Sequence, residues 1–201
     1  DTLRWDNQAA DVGIRGYNKP FSSRLLVLVN GRQVYLDHFG FTAWSTLPVS
    51  LKEIRQIEVV KGPNTALFGF NAVGGVVNIV TYNPLYDDKD NVTVRGGTEN
   101  LREGSLMNTF QFGKGDDQSG MKGGVRISAQ GLKADSFDAD QPTFGPPPSV
   151  PSSRLDPERR SVNIDGLLQV TDDSQLRFEA SRSASEQFQF LPIFRPSSLQ
   201  F

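Results

Sequence analysis

The sequence predicts an α+β domain over residues 1–84, a polar linker at 85–90, and an antiparallel β region over 91–201. Three observations predict this division. Residues 61–81 read KGPNTALFGFNAVGGVVNIVT, a glycine-punctuated, turn-rich stretch that runs into β-branched residues. Residues 25–35 (LLVLVNGRQVY) read as strand, Asn-Gly turn, strand, with the turn at Asn30-Gly31. From residue 91 onward the apolar residues recur at every second position, the period of a strand with two unlike faces.

Within the first region, Ser50 and Glu53 have capping-box spacing, and Pro48 suits a helix entrance. A helical turn is expected through Arg55, before the chain extends into 57–60. Gly62-Pro63 breaks that strand, and residues 64–68 can form one more turn, ended by Gly69. Val76, Val77, Ile79 and Val80 form a nearly continuous apolar run, as expected of a strand buried on both faces. Gly62, Gly69, Gly74 and Gly75 fall where a side chain would obstruct a tight turn or a close backbone approach. Residues 82–90 (YNPLYDDKD) are polar and turn-rich and mark the boundary.

The second region predicts five strands: 91–98, 102–113, 122–132, 159–170 and 174–184. Each sets an apolar face against a polar one. Val125, Ile127 and Ala129, for example, oppose Arg126, Ser128 and Gln130, and Leu176, Phe178 and Ala180 oppose Arg177, Glu179 and Ser181. The lengths are close to the ~9–11 residues of a tilted membrane strand. The connection at 171–173 is tight, the one at 114–120 modest, and the one at 133–158 long and Pro-rich. Alternation and loop length together fit both a soluble sandwich and a membrane barrel.

Composition excludes several classes. Formal net charge is −2, so there is no strong overall pull toward nucleic acid or anionic lipid. No stretch approaches the ~18 consecutive apolar residues of a membrane helix. The absence of Cys removes thiolate metal sites and disulfides, and the single imidazole, His38, cannot form a His-His metal site. No catalytic constellation is found. Gly62 to Gly69 lacks the Gly-Lys-Ser/Thr of a phosphate loop, and residues 87–91 (DDKDN) lack the glycine and distal Glu of a calcium loop. No catalytic residue, metal or cofactor is therefore expected. The aromatic run 188–201 reads as a ligand-facing loop, a membrane-interface girdle, or an ordinary strand and loop. The chain begins and ends abruptly, which reads as an internal piece of a longer exported protein.

Several segments occur in order: Ile14-Arg15-Gly16-Tyr17, Leu28-Val29-Asn30-Gly31, Ile57-Glu58-Val59-Val60-Lys61-Gly62-Pro63, Ala66-Leu67-Phe68-Gly69, Asn71-Ala72, and Gly74 to Thr81. Together they resemble the plug domain of TonB-dependent outer-membrane receptors over residues 11–83. Asn30 departs from the usual Asp, Gln56 from a frequent Arg, Lys61 from Arg and Phe68 from Tyr. Arg55 lies one place early, and a one-residue shift in a strand reverses its face.

The resemblance implies a plug at 1–84 inside an antiparallel transmembrane barrel of about 22 strands when complete, about five of them here. It implies a receptor or transporter, not an enzyme, in the bacterial outer membrane. Such a receptor imports a scarce, bulky nutrient, a ferric siderophore or a cobalamin-like ligand, by plug rearrangement energised through TonB and its inner-membrane complex. Outer-membrane lipid is the other implied partner. An outer-membrane signalling or adhesion receptor on the same plug-and-barrel shell is the alternative. The plug-motif glycines are Gly16, Gly31, Gly62, Gly69, Gly74 and Gly75. Arg15 is the candidate anchor from plug to barrel wall, and Glu58 and Lys61 are weaker members of that network. Wall partners lie outside the chain or among Arg177-Phe178-Glu179.

Overall fold

A computed structural model describes residues 2–4, 10–12, 25–34, 42–69, 71–113, 121–135, 156–189 and 197–200. Arg15, Gly16 and His38 lie outside these described residues. The first strands, β1 (Thr2–Arg4) and β2 (Ala10–Val12), pair antiparallel.

The α+β region is built on a four-stranded sheet of β3 (Leu25–Val29), β4 (Arg32–Gln33), β5 (Ile54–Lys61) and β6 (Gly75–Thr81), in the spatial order β4-β3-β6-β5. Central β6 pairs parallel with β3 and antiparallel with β5. Because β3 and β6 are covered on both faces, they read as apolar runs, interrupted in β6 by Asn78, rather than as alternation. One face packs Leu25, Val27, Val29, Val77 and Ile79 with Leu47, and the other packs Leu26, Leu28 and Val76 with Ala72.

The Asn-Gly turn forms as expected, with Asn30 at φ 50° and Gly31 at φ 81°. The left-handed conformation at both central residues matches the twist of the flanking strands. The helical turn after Ser50 is shorter than expected. It is a 3-10 turn over Leu51–Glu53, and Arg55 already lies in β5, drawn into the sheet because Ile54 pairs with Thr81. Arg55 is itself the extra residue of a β-bulge between Ile54 and Gln56, so simple face counting fails at this point. The second turn is α1 (Thr65–Phe68), closed by Gly69 at φ 87°.

The second region is one antiparallel sheet of β7 (Asn91–Gly96), β8 (Arg102–Phe112), β9 (Lys122–Lys133), β10 (Glu158–Thr171), β11 (Ser174–Gln189) and β12 (Ser197–Gln200). Strands pair only with their sequence neighbours, as in an up-and-down barrel wall. The five expected strands are present, and β12 adds a sixth within the aromatic run.

The two faces differ sharply. Outward residues such as Val94 and Phe178 are 87% and 63% exposed, whereas Met107 and Leu167 on the inner face are 3% and 4% exposed. An apolar outer face with a polar inner face is the pattern of a membrane barrel, and the reverse of a soluble sandwich.

Candidate functional site

The inner face of the wall meets the α+β region through a closed circuit of polar side chains. Its foundation is strand register. Thr109, Arg126, Asp165 and Glu179 are successive partners across β8, β9, β10 and β11, so their side chains rise side by side on one face. Arg126 lies 3.0 Å from Asp165, and both side chains are almost wholly buried. Arg177, one step along β11, grips Asp165 with two nitrogens, at 3.2 and 2.9 Å, and reaches Glu179 at 2.8 Å. Two buried or half-buried carboxylates thus face two guanidiniums, which a low-dielectric site requires.

The plug side closes the circuit. The Arg126 guanidinium donates to the Thr81 hydroxyl at 2.9 Å and to the Tyr82 carbonyl. The Thr81 backbone N–H donates to the Asn30 side-chain oxygen at 2.9 Å. The Asn30 amide then donates to Glu179 at 3.4 Å, returning to the wall. Arg32, beside the turn, sits 3.7 Å from Glu179. The positive-φ Asn30-Gly31 turn is what aims this amide. The Gly31 N–H is held by Asn78, which also donates to Glu58.

Two further contacts dock the same domain. Asn163 donates to the buried Glu53 carboxylate at 3.3 Å, while Glu53 also accepts the Ser50 N–H. Arg159 donates to the Leu47 carbonyl. Nearer the linker, Asp90 accepts the Thr109 N–H at 2.8 Å, and Thr109 donates to the Lys89 carbonyl at 2.8 Å. Gln111 donates to the Pro84 carbonyl at 3.1 Å. Pro84 runs so close to Gly124 of β9 that a Cβ there would collide with the proline carbonyl. Asp87 caps the Asn83 N–H and lies 3.6 Å from Arg55. The linker is thus tied to the wall at Lys89 and Asp90, while the side chains of residues 88–90 remain exposed.

Of the residues the sequence singles out, Glu179 and Arg177 are in the circuit. Glu58 bonds to Gln56 and Asn78 within its own sheet, and Lys61 is exposed. Arg126, Asp165, Thr81, Tyr82 and Glu53 were not expected. For Arg126 and Asp165 the signal was a charged residue at an inward mid-strand position, where Ser, Asn and Gln are otherwise used; Thr81, Tyr82 and Glu53 carried none. No group of His, Cys, Asp and Glu suited to a metal ion occurs among the described residues.

Comparison with known proteins agrees with this architecture. Residues 4–76 match the TonB-dependent receptor plug domain. The chain is 33% identical over 137 residues to the vitamin B12 transporter BtuB of Photobacterium profundum, a match covering 68% of the chain and 21% of that protein. It is 28% identical over 137 residues to BtuB of Vibrio vulnificus, covering 68% of the chain and 20% of that protein. The chain thus spans about a fifth of the length of these relatives. The pyoverdine outer membrane receptor FpvA of Pseudomonas aeruginosa PAO1 shares the fold, with a TM-score of 0.62 and 18% identity over 93% of this chain and 24% of that one. So does the siderophore receptor PirA of Acinetobacter baumannii, with a TM-score of 0.57 and 20% identity over 90% of this chain and 26% of that one.

The chain belongs to the TonB-dependent receptors of the bacterial outer membrane: a plug domain followed by antiparallel strands of the barrel wall. The relatives are transporters and receptors, not enzymes, and the polar circuit is the seam between plug and barrel.

Proposed function

We propose that the chain supplies the plug and the plug-bearing wall of a receptor that imports a scarce, bulky nutrient, with a ferric siderophore as cargo. Plug and wall divide at 1–84 and 91–201, with 85–90 as the linker between them. The observation that carries this reading is the chemistry of the seam. Among the described residues, the plug is tied to the wall by a set of hydrogen bonds to Thr81, Tyr82, Asn30, Leu47 and Glu53 and by the ion pair of Arg32 with Glu179. Polar partners separated by force recover water, so the net cost of parting each hydrogen bond is modest. An apolar seam would lose its hydrophobic stabilisation outright. A seam of this kind is firm at rest and releasable under a pull transmitted through TonB and its inner-membrane complex. Arg15 is proposed as a further anchor, with Glu58 and Lys61 in the same network. The plug glycines permit local refolding without side-chain clashes.

Similarity to vitamin B12 transporters supports cobalamin as a second cargo. Both ligands are metal chelates too large for simple diffusion. The test is uptake of radiolabelled ferric siderophores and cobalamin by cells carrying the receptor, with and without TonB. Uptake of one cargo that stops without TonB is expected. Binding without uptake in either background would overturn the transport reading in favour of signalling or adhesion.

A further inference from the structure

The outer face of the wall is not uniformly apolar. At the end that carries the long 134–157 connection, its outward positions hold Arg102, Lys133, Glu158, Arg160, Arg182 and Glu186. Their parity along the strands is that of exposed Leu106, Ile127, Val162 and Phe178, so all six project from the lipid-facing side. Toward the other end the same face holds Phe110, Phe112, Val170 and Leu176. Net charge over the chain is −2, so this basic excess is local.

Three features point to a ligand. Arg102 and Lys133 are direct cross-strand partners, a like-charge pair that is destabilising unless an anion lies nearby. Glu158 offsets part of this, but it also pairs with Arg160. Arg182 is in register with Val162, and through it with Ala129, Leu106 and Val92. Its guanidinium therefore rises from an apolar row, and among the described residues it has no hydrogen bond or ion pair. Between Arg160 and Arg182 on one side and Val92 and Val94 on the other runs an open groove of about 870 Å3. Its floor is kept low by Gly104, Ala129 and Gly131.

A cation on a lipid-facing surface must pair or reach the headgroup layer. A guanidinium binds phosphate oxygens with two parallel N–H donors. A groove floored by small residues and walled by apolar ones beneath such donors offers a non-polar bed for an acyl chain below a headgroup. We propose that this groove binds an anionic lipid of the outer leaflet that carries phosphomonoester groups, with a phosphate on Arg182 and Arg160 and an acyl chain lying along Gly104 and Gly131.

The test uses the receptor carrying these strands, purified in maltoside detergent and incubated with diphosphoryl lipid A or phosphatidylcholine. Retained lipid is counted by native mass spectrometry. Retention of lipid A over phosphatidylcholine is expected, falling about fivefold for each of Arg160→Gln and Arg182→Gln. Arg182→Lys should keep most of it, and inorganic phosphate should not displace the lipid. Undiminished retention in the double variant, equal retention of phosphatidylcholine, or displacement by inorganic phosphate would each overturn the proposal. Should the double variant fail to fold, the comparison of the two lipids on the unaltered receptor, with Arg182→Lys, still decides.

Discussion

Arg126 of the barrel wall and Thr81 of the plug meet at 2.9 Å, and Thr81 is the last residue of the central plug strand. A single wall guanidinium is thereby tied to the strand on which the plug sheet is built. The same guanidinium holds the Tyr82 carbonyl and pairs with Asp165, which Arg177 grips from the other side. Loss of this one side chain would remove the hydrogen bonds to Thr81 and Tyr82 and one of the two guanidinium partners of Asp165 at once.

Arg126→Met should therefore cost about 3–5 kcal/mol, the usual consequence of stripping a partner from a buried carboxylate. Asp165→Leu alone should cost a similar amount. The double variant should cost less than the sum of the two by about 1 kcal/mol or more, because neither charge is then left behind. Denaturant midpoints of the four proteins check this. Strict additivity would show that the two groups act independently.

Gly124→Ala should displace the Pro84–Leu85 backbone, since its methyl group would meet the proline carbonyl and approach the Leu85 nitrogen to 2.9 Å. Gly131→Ala, on the same strand, meets nothing within 4 Å and should be neutral or slightly stabilising. Melting temperatures of the two variants should separate, with the alanine at 124 lowering the transition by several degrees, the equivalent of about 1–3 kcal/mol. Equal behaviour would mean that the linker does not lie against this strand.

Asn30→Asp should weaken the seam even though the two side chains have the same shape. The Asn30 amide donates to Glu179, and a carboxylate in its place would set two negative charges together. Asn30→Asp should be more destabilising than Asn30→Ser, and added salt should narrow the gap. A thermal-melt series in salt measures it.

Much of the fold was legible because each wall strand has one face in lipid and one inside. Alternation then marks both the strands and their faces, and β7 to β11 begin at or within one residue of the expected positions. The Asn30-Gly31 hairpin and the run at Val76 were legible from turn chemistry and β-branching. Three features were not. The bulge at Arg55 is set by pairing with β6, which no local pattern reports. β12 is too short to show a period. The circuit around Arg126 depends on register across four strands: Arg126 and Asp165 are 39 residues apart in sequence and read singly as ordinary inward polar positions. Of the circuit's wall residues, the sequence points only to Arg177 and Glu179.

The central claim is that the wall circuit holds the plug strand in place. Hydrogen-exchange mass spectrometry over residues 75–83, in the unaltered receptor and in Arg126→Met, tests it most directly. Exchange of Thr81 and its neighbours should accelerate by on the order of a hundredfold or more, while β9 and β10 stay protected by their own ladder. Unchanged exchange at residues 75–83 would contradict the account, because the plug would then be held by contacts other than this guanidinium.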